Sequence, residues 1–363
     1  MNRAPEQPIK YEQAPLAAPK HGGDLQQASK RYGIALENWL DLSTGINPDA
    51  YPIPSIPDSC FHRLPDEHTL QLLEAAKTYY QTQNILPANG SQAFIELLPA
   101  LRKPCRVAIP HVGYREHAWN WQRHGHELVW YDGFNPSELE HKLNAENIDC
   151  AVLISPNNPT AAIMPPNSLI KCQQVIARRD GWLIIDGAFQ DTPNLPTDGA
   201  DHPVHPASWP GVIELRSLGK FFGLAGIRLG FALADQGLIE RLSPHIGLWS
   251  VSSVSQFVAT TALKDKPWQA HTRLTLPKNS TWMFRILRAY YKDENLFKTP
   301  FFISVLLPLE TAIYEHDRLA KQGVWTRLWP IPQGGRALLR FGLISQMNLS
   351  GRSQFSNLHK SPY

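Results

Sequence analysis

Cys150-Ala151-Val152-Leu153-Ile154-Ser155-Pro156-Asn157-Asn158-Pro159-Thr160 is the stretch on which the fold turns. Five apolar residues run straight into a polar Asn-Pro turn, as a buried strand does when it ends at a loop. The same figure recurs downstream. Trp182 to Ile185 ends in Asp186, and Val212 to Leu215 runs into Ser217-Leu218-Gly219-Lys220. On either side, strands are expected at 85–86, 106–109, 127–131 and 229–234. Helical spacing is expected at 25–32, 69–80, 93–101, 117–124, 137–143 and 168–178. Strands that alternate with helices over roughly 150 residues imply an α/β fold with a mostly parallel sheet covered on both faces. Beyond Ser252 the pattern turns helical (253–263, then 279–291), with two later strands at 301–307 and 337–341.

Composition narrows the function. The chain has 363 residues, 43% hydrophobic and 18% charged, which is globular and large enough for two lobes. A net charge of +3 without a basic run gives no footprint for nucleic acid. Cys60, Cys105, Cys150 and Cys172 have no CxxC spacing, so neither a metal site nor a disulfide framework is expected, and the compartment reads as reducing. No apolar run approaches the ~18 residues of a membrane span. Residues 1–20, rich in Pro, Gln and Ala, read as a loose arm with no secretory h-region, and the cytoplasm is the expected location.

In open parallel sheets, ligands bind beyond the carboxyl ends of the strands. Asn158, Asp186 and Lys220 all stand at such ends. Lys220 lies among Leu, Gly, Phe and Ala, where burial lowers an amine's pKa and makes it a nucleophile; alone, it is equally a lysine snorkelling from an apolar loop. Asp186 alone is as well a turn residue, Asn158-Pro159 a plain turn, and Gly90-Ser91 an ordinary helix cap. Together they match what pyridoxal 5'-phosphate asks of a protein: an amine, a carboxylate for the ring nitrogen, a donor to the ring oxygen and an anion cradle. Lys220, Asp186 and Asn158 supply the first three. Gly90, Ser91 and Gln92 at a helix N-terminus, with Ser217 and the guanidinium of Arg228, suit the phosphate.

The ordered set Ser155-Pro156-Asn157-Asn158-Pro159-Thr160, Ile184-Ile185-Asp186, Ser217-Leu218-Gly219-Lys220 and Arg228-Leu229-Gly230 resembles the class I/II aminotransferases of the fold-type I pyridoxal-phosphate enzymes. The resemblance covers residues 21–343. It implies a large domain with a seven-stranded mixed sheet, a smaller α/β domain and a homodimer. On this basis the chain divides into an arm (1–20), an N-terminal segment shared with the small domain (21–64), a large cofactor domain (65–255), a small domain (256–343) and an atypical polar tail (344–363).

Within that group, His21-Gly22-Gly23, residues 40–48, Arg63-Leu64-Pro65-Asp66 and Gly113-Tyr114-Arg115-Glu116-His117 are similar to the threonine-phosphate decarboxylases of cobalamin biosynthesis. By that resemblance Tyr114 stacks on the pyridine ring and Arg340 holds the substrate carboxylate. His21, Gly22, Gly45, Ile46, Asn47 and Arg327 are candidate substrate contacts, with a solvated surface the other reading for His21 and Arg327. The implied reaction is decarboxylation of L-threonine O-3-phosphate to (R)-1-amino-2-propanol O-2-phosphate. Amine transfer on a phosphorylated substrate of the histidinol-phosphate type is the alternative, as is a non-catalytic relative. Ser217-x-x-Lys220 also matches a serine acyl hydrolase motif, but no Lys-Thr-Gly follows it.

The sequence departs from the family pattern in several places. Gly187 stands in place of Glu, Phe189 in place of a phenol, and Ala161 in place of Gly. Gly219 replaces a hydroxyl residue, Leu64 replaces a Tyr, and no closing helix is expected after Leu343.

Overall fold

The computed structural model describes residues 16, 18–19, 23–192, 208–332 and 334–345. Most of the expected arm, together with His21, Gly22 and the polar tail beyond Ser345, lies outside the described residues.

The N-terminal segment opens with α1 (Leu25–Tyr32). Asp24 caps it by accepting from the Gln27 amide, and Gly33 ends it in the left-handed region at φ 68. β1 (Leu40–Asp41) follows. Pro52, Pro54 and Pro57 then keep the chain irregular as far as the short α2 (Ser59–His62).

The alternating region comes next: α3 (Asp66–Tyr80), β2 (Ile85–Ala88), α4 (Ser91–Ala100), β3 (Arg106–Pro110), α5 (Arg115–Arg123) and β4 (Glu127–Tyr131). It continues through α6 (Glu138–Ala145), β5 (Cys150–Ile154), α7 (Pro166–Ala177), β6 (Trp182–Asp186), β7 (Val212–Ser217) and β8 (Gly230–Ala234). Helices α8 (Gln236–Leu242), α9 (Ser253–Lys264) and α10 (Lys266–Tyr290) follow. The chain then forms β9 (Asn295–Lys298), β10 (Phe302–Pro308), α11 (Leu309–Lys321), β11 (Val324–Trp325), β12 (Arg327–Pro330) and β13 (Arg336–Gly342).

Seven strands form one sheet in the order β2-β8-β7-β6-β5-β3-β4. Strands β3 to β7 run parallel, while β8 is antiparallel to both its neighbours, so the sheet is mixed and mostly parallel as expected. Side chains alternate between two covered faces. Val152 and Ile154 of β5 pack with α4 and α5, whereas Ala151 and Leu153 pack with α6 and α7. Phe231 and Leu233 of β8 pack instead with α3, α9 and α10. The carboxyl ends of β5, β6 and β7 therefore lie at one edge, and reversed β8 begins there.

A second sheet, β12-β13-β10-β9, is antiparallel throughout, and β1 pairs in parallel with β11. Helix α10 starts thirteen residues earlier than its period indicates, because it accommodates Pro277 in its interior. It starts at Lys266, and Asp265 caps it by accepting from the Trp268 amide. Among the described residues no helix is long and apolar enough to cross a membrane.

The N-terminal segment and β13 meet closely. The Gly342 amide donates to the Leu42 carbonyl at 2.7 Å, and a Cβ on Gly342 would lie 2.2 Å from the Thr44 carbonyl oxygen. Gly342→Ala is therefore expected to force these strands apart and destabilise the fold by about 1–3 kcal/mol. Chemical denaturation of the two proteins checks it, and equal midpoints and slopes would contradict the close packing.

Candidate active site

Lys220 sits in the loop that joins β7 to β8. Leu218, Phe221 and Phe222 are fully buried and anchor the loop against α3 and α10. The Lys220 carbonyl accepts from the amides of Asn47 at 3.0 Å and Gly223 at 3.2 Å. Asn47 is itself buried, and its Nδ2 donates to the Phe221 carbonyl at 2.9 Å. Asn47 thus clamps the lysine loop, while its neighbours Gly45 and Ile46 line the cleft. Burial pushes the Lys220 amine down to about 8; Arg340 and Arg228 act in the same direction and Asp186 opposes them. The Nζ atom lies 5.4 Å from the centre of the Phe189 ring.

Asp186, the last residue of β6, is held from two sides. Its Oδ2 lies 3.0 Å from His117 Nε2, and its Oδ1 accepts from the Ala188 amide at 3.1 Å. Both members of the His117–Asp186 pair are buried. His117 belongs to the Gly113-to-His117 motif, yet the sequence alone assigns it no role. The signal was available, since His117 stands three positions after Tyr114, and that spacing places both on one face of a helix start.

An anion-binding corner lies on the other side of Lys220. Gly90 precedes α4 at φ 76, and a Cβ on it would lie 2.8 Å from Arg228 Nη2. A Cβ on Gly230 would lie 2.3 Å from the Ser91 nitrogen. Only glycine at both places lets the start of β8 approach the α4 N-terminus, which brings a guanidinium beside free amides. Arg228 is in the left-handed region at φ 51, and Ser217 Oγ accepts from the Gly219 amide at 3.2 Å. Gln92 is bonded within the wall: its Oε1 accepts from Tyr114 Oη at 3.2 Å and its Nε2 donates to Glu116 at 3.1 Å. Gly90, Ser91, Gln92, Tyr114, Asn158, Asp186, Ser217, Lys220 and Arg228 all line one cavity of about 150 Å³.

A second cavity shares Tyr114, Asn158 and Lys220 with the first and extends to Ser43, Gly45, Ile46, Arg327 and Arg340. Arg327 and Arg340 are register partners on β12 and β13. Arg340 is buried. It donates to the Ser43 carbonyl at 2.5 Å and to Asn158 Oδ1, and its Nε has no partner among the described residues. Burial and Arg327 lower its pKa, yet a guanidinium stays protonated through the working range. Burial also lowers Arg327, which is a half-buried wall residue of the cleft and not a solvated surface group.

These groups fit pyridoxal 5'-phosphate. An amine with a lowered pKa, a braced carboxylate and an amide surround one cavity, and glycine-lined anion donors close its far end. The unusual positions are structurally accommodated. Phe189 fills the space beside Gly45, where a Cβ would lie 2.9 Å from its ring. Gly219 has Ala225 at 3.2 Å from its would-be Cβ. Ala161 adopts φ 62, the conformation the family's glycine would take freely, at a cost of about 1–2 kcal/mol.

Comparison with known proteins agrees with this arrangement. The family model for aminotransferase class I and II matches residues 38–349. A threonine-phosphate decarboxylase of Pseudomonas aeruginosa is 38% identical over 325 residues, covering 89% of this chain and 92% of that protein. A histidinol-phosphate aminotransferase of Methanococcus maripaludis is 26% identical over 262 residues, 68% of this chain and 69% of that protein. Among solved structures, histidinol-phosphate aminotransferase from Sinorhizobium meliloti in complex with pyridoxal-5'-phosphate superposes with a TM-score of 0.77. It shares 18% identity and covers 95% of this chain and 94% of that one.

The lysine gives a direct test. Without cofactor, Lys220 is expected to titrate near 8, against 10.5 for an ordinary lysine. Because the folded value is the lower, the unfolded chain binds more protons between the two, and this group adds stability as pH rises through that window. The pH dependence of trinitrobenzenesulfonate labelling at Lys220, located by peptide mass, checks it. A midpoint at the ordinary value would mean a solvated ammonium.

Proposed function

Because the chain belongs to the aminotransferase class I and II family, we propose that it decarboxylates L-threonine O-3-phosphate to (R)-1-amino-2-propanol O-2-phosphate, a cytoplasmic step of cobalamin biosynthesis. The observation that carries this reading is the pairing of Arg327 with Arg340 beside Lys220. A substrate with both a carboxylate and a phosphate calls for two cationic clamps near the reacting carbon. The extended similarity to a threonine-phosphate decarboxylase supports the same substrate class.

The enzyme depends on pyridoxal phosphate. When bound, this group supplies an aldehyde that captures the substrate amine and a ring that accepts the electron pair of the bond broken at Cα. The protein's own groups do the rest. Asp186, braced by His117, holds the proton on the ring nitrogen. Asn158 would bond the ring oxygen, and the α4 N-terminus, Ser217 and Arg228 would hold the phosphate. Tyr114, in the wall of the same cavity, would cover the ring. Arg340 would hold the substrate carboxylate and so orient the substrate within the cleft. Lys220, with its depressed pKa, is free at near-neutral pH to take up a proton and return it to Cα once CO2 has left. Amine transfer is the second reading, favoured by the histidinol-phosphate aminotransferase relative; there the same amine would remove the Cα proton.

CO2 release from L-threonine O-3-phosphate, measured beside amine transfer to 2-oxoglutarate, separates the two. Release of CO2 is expected, and amine transfer without it would overturn the proposal. Borohydride should fix the cofactor to Lys220, and Arg340→Gln should lower kcat/KM about a hundredfold or more.

The working unit is proposed to be a homodimer. Phe61, Leu64, Leu248 and Trp249 are exposed apolar side chains, and Ser253 Oγ donates to the Arg63 carbonyl at 3.4 Å, which brings the two segments together. Sedimentation equilibrium is expected to give twice the chain mass, with Leu248→Lys and Trp249→Lys shifting it toward one. A wild-type monomer at micromolar concentration would sink this part of the reading.

A further inference from the structure

Cys105, His126 and Cys150 meet at the amino end of the seven-stranded sheet, opposite the edge that carries the cleft. Cys105 immediately precedes β3 and Cys150 opens β5, with Val107 as the register partner of Cys150. Cys105 stands two positions before Val107, so Cys105 and Cys150 present on the same face. Cys150 lies near enough to be the largest influence on the Cys105 thiol. Cys105 is partly exposed and Cys150 is buried.

Cys105 Sγ also lies 3.3 Å from His126 Nδ1. The imidazole cannot turn freely. Its Nε2 lies 2.9 Å from the Pro99 carbonyl, and its ring packs edge-on against Trp121 at 4.5 Å between centres. A carbonyl only accepts, so Nε2 carries a proton and Nδ1 is the acceptor in the neutral ring. Nδ1 accepts from the Cys105 amide at 3.2 Å and faces the Cys105 thiol. Transfer of the thiol proton to Nδ1 displaces the Cys105 amide from that lone pair and yields a thiolate beside an imidazolium whose far N–H remains on the Pro99 carbonyl. A nucleophile, a base and a group that orients the base are thus in place.

The charges around the pair agree with this geometry. Cys150 and His126 push the Cys105 thiol down to about 5, against burial and the nearby Asp149. Cys105 and burial push Cys150 up, with Arg102 opposing. His126 is raised: burial works against its charge, while Cys105 and the Pro99 carbonyl outweigh it. No part of this cluster lines the cavities that hold Lys220.

We propose that Cys105 is a peroxide-reactive thiolate, primed by His126 and resolved by Cys150, which makes the amino end of the sheet an oxidation site separate from the catalytic cleft. The Cys105 sulfur attacks the terminal oxygen of a hydroperoxide. The S–O bond forms, the O–O bond breaks, and the alkoxide leaves as the alcohol with the proton held by His126. The Cys150 sulfur then attacks the resulting sulfenic acid; the S–S bond forms, the S–O bond breaks, and water leaves with the Cys150 proton. The peroxide is reduced by two electrons and the two thiols are oxidised to one disulfide.

The holoenzyme, alkylated by iodoacetamide across a pH series and mapped by peptide mass, tests the first step. Cys105 is expected to react with a midpoint below about pH 6.5, and near pH 6 to outrun an unperturbed small thiol by about tenfold. His126→Asn should return the midpoint toward the ordinary thiol value of about 8.5. The wild-type profile carries the test even if that variant folds poorly. Cumene hydroperoxide should produce a Cys105–Cys150 disulfide reversed by dithiothreitol. Cys150→Ser should stop at a sulfenic acid on Cys105 that dimedone traps. A wild-type midpoint near 8.5, or a Cys105 that remains a thiol under hydroperoxide, would overturn the proposal.

Discussion

The desolvation of one ammonium organises the site. Lys220 adjoins the core residues Leu218, Phe221 and Phe222 in the chain, its amine lies over the Phe189 ring, and burial is the largest force on its pKa. An amine so placed is a better nucleophile at neutral pH, but the arrangement holds only if its backbone is pinned. Asn47, from a segment more than 170 residues earlier, supplies the pin through both its amide and its side chain. The irregular, proline-rich run after β1 therefore braces the loop that carries the amine.

Close backbone approach is the second constraint, and it follows from the first. The cavity beside the amine also reaches the N-terminus of α4. Gly90 and Gly230 remove the side chains that would keep α4 and β8 apart. Arg228 accepts a left-handed backbone just before β8 and brings its guanidinium to the same corner. On the opposite side, Gly342 lets β13 pass against Leu42 and Thr44, and that contact sets Arg340 next to Ser43 and Asn158. Each glycine serves a contact between segments remote in sequence.

Much of this was legible because short-range chemistry encodes it. Short, mainly apolar runs that stop just before Asn157, Asp186 or Ser217 read as strands ending in loops, and β4, β5 and β6 lie at the bounds expected of them. The amphipathic α11 was legible too but stands outside the expected elements, whereas other unexpected elements have weaker local signals. The first half of α10 hides behind Pro277, while β9 and β12 are four-residue strands with a mixed burial pattern. His117 was visible in the sequence, but nothing local says that a helix-start histidine meets a strand-end carboxylate 69 residues away.

Residue order alone thus establishes the alternating α/β architecture, the strand-end positions of Asn158, Asp186 and Lys220, and the cofactor chemistry their order implies. Those features depend on hydrophobic period and residue type, which act over a few residues. Three-dimensional packing was needed to show that His117 braces Asp186 and that Asn47 clamps the lysine loop instead of facing the cleft. Packing also brought Arg327 into the wall beside Arg340, and Cys105 to a histidine and a second thiol. Those are distances between segments that chain connectivity leaves free, and the close fit of the two sheets and their helices fixes them.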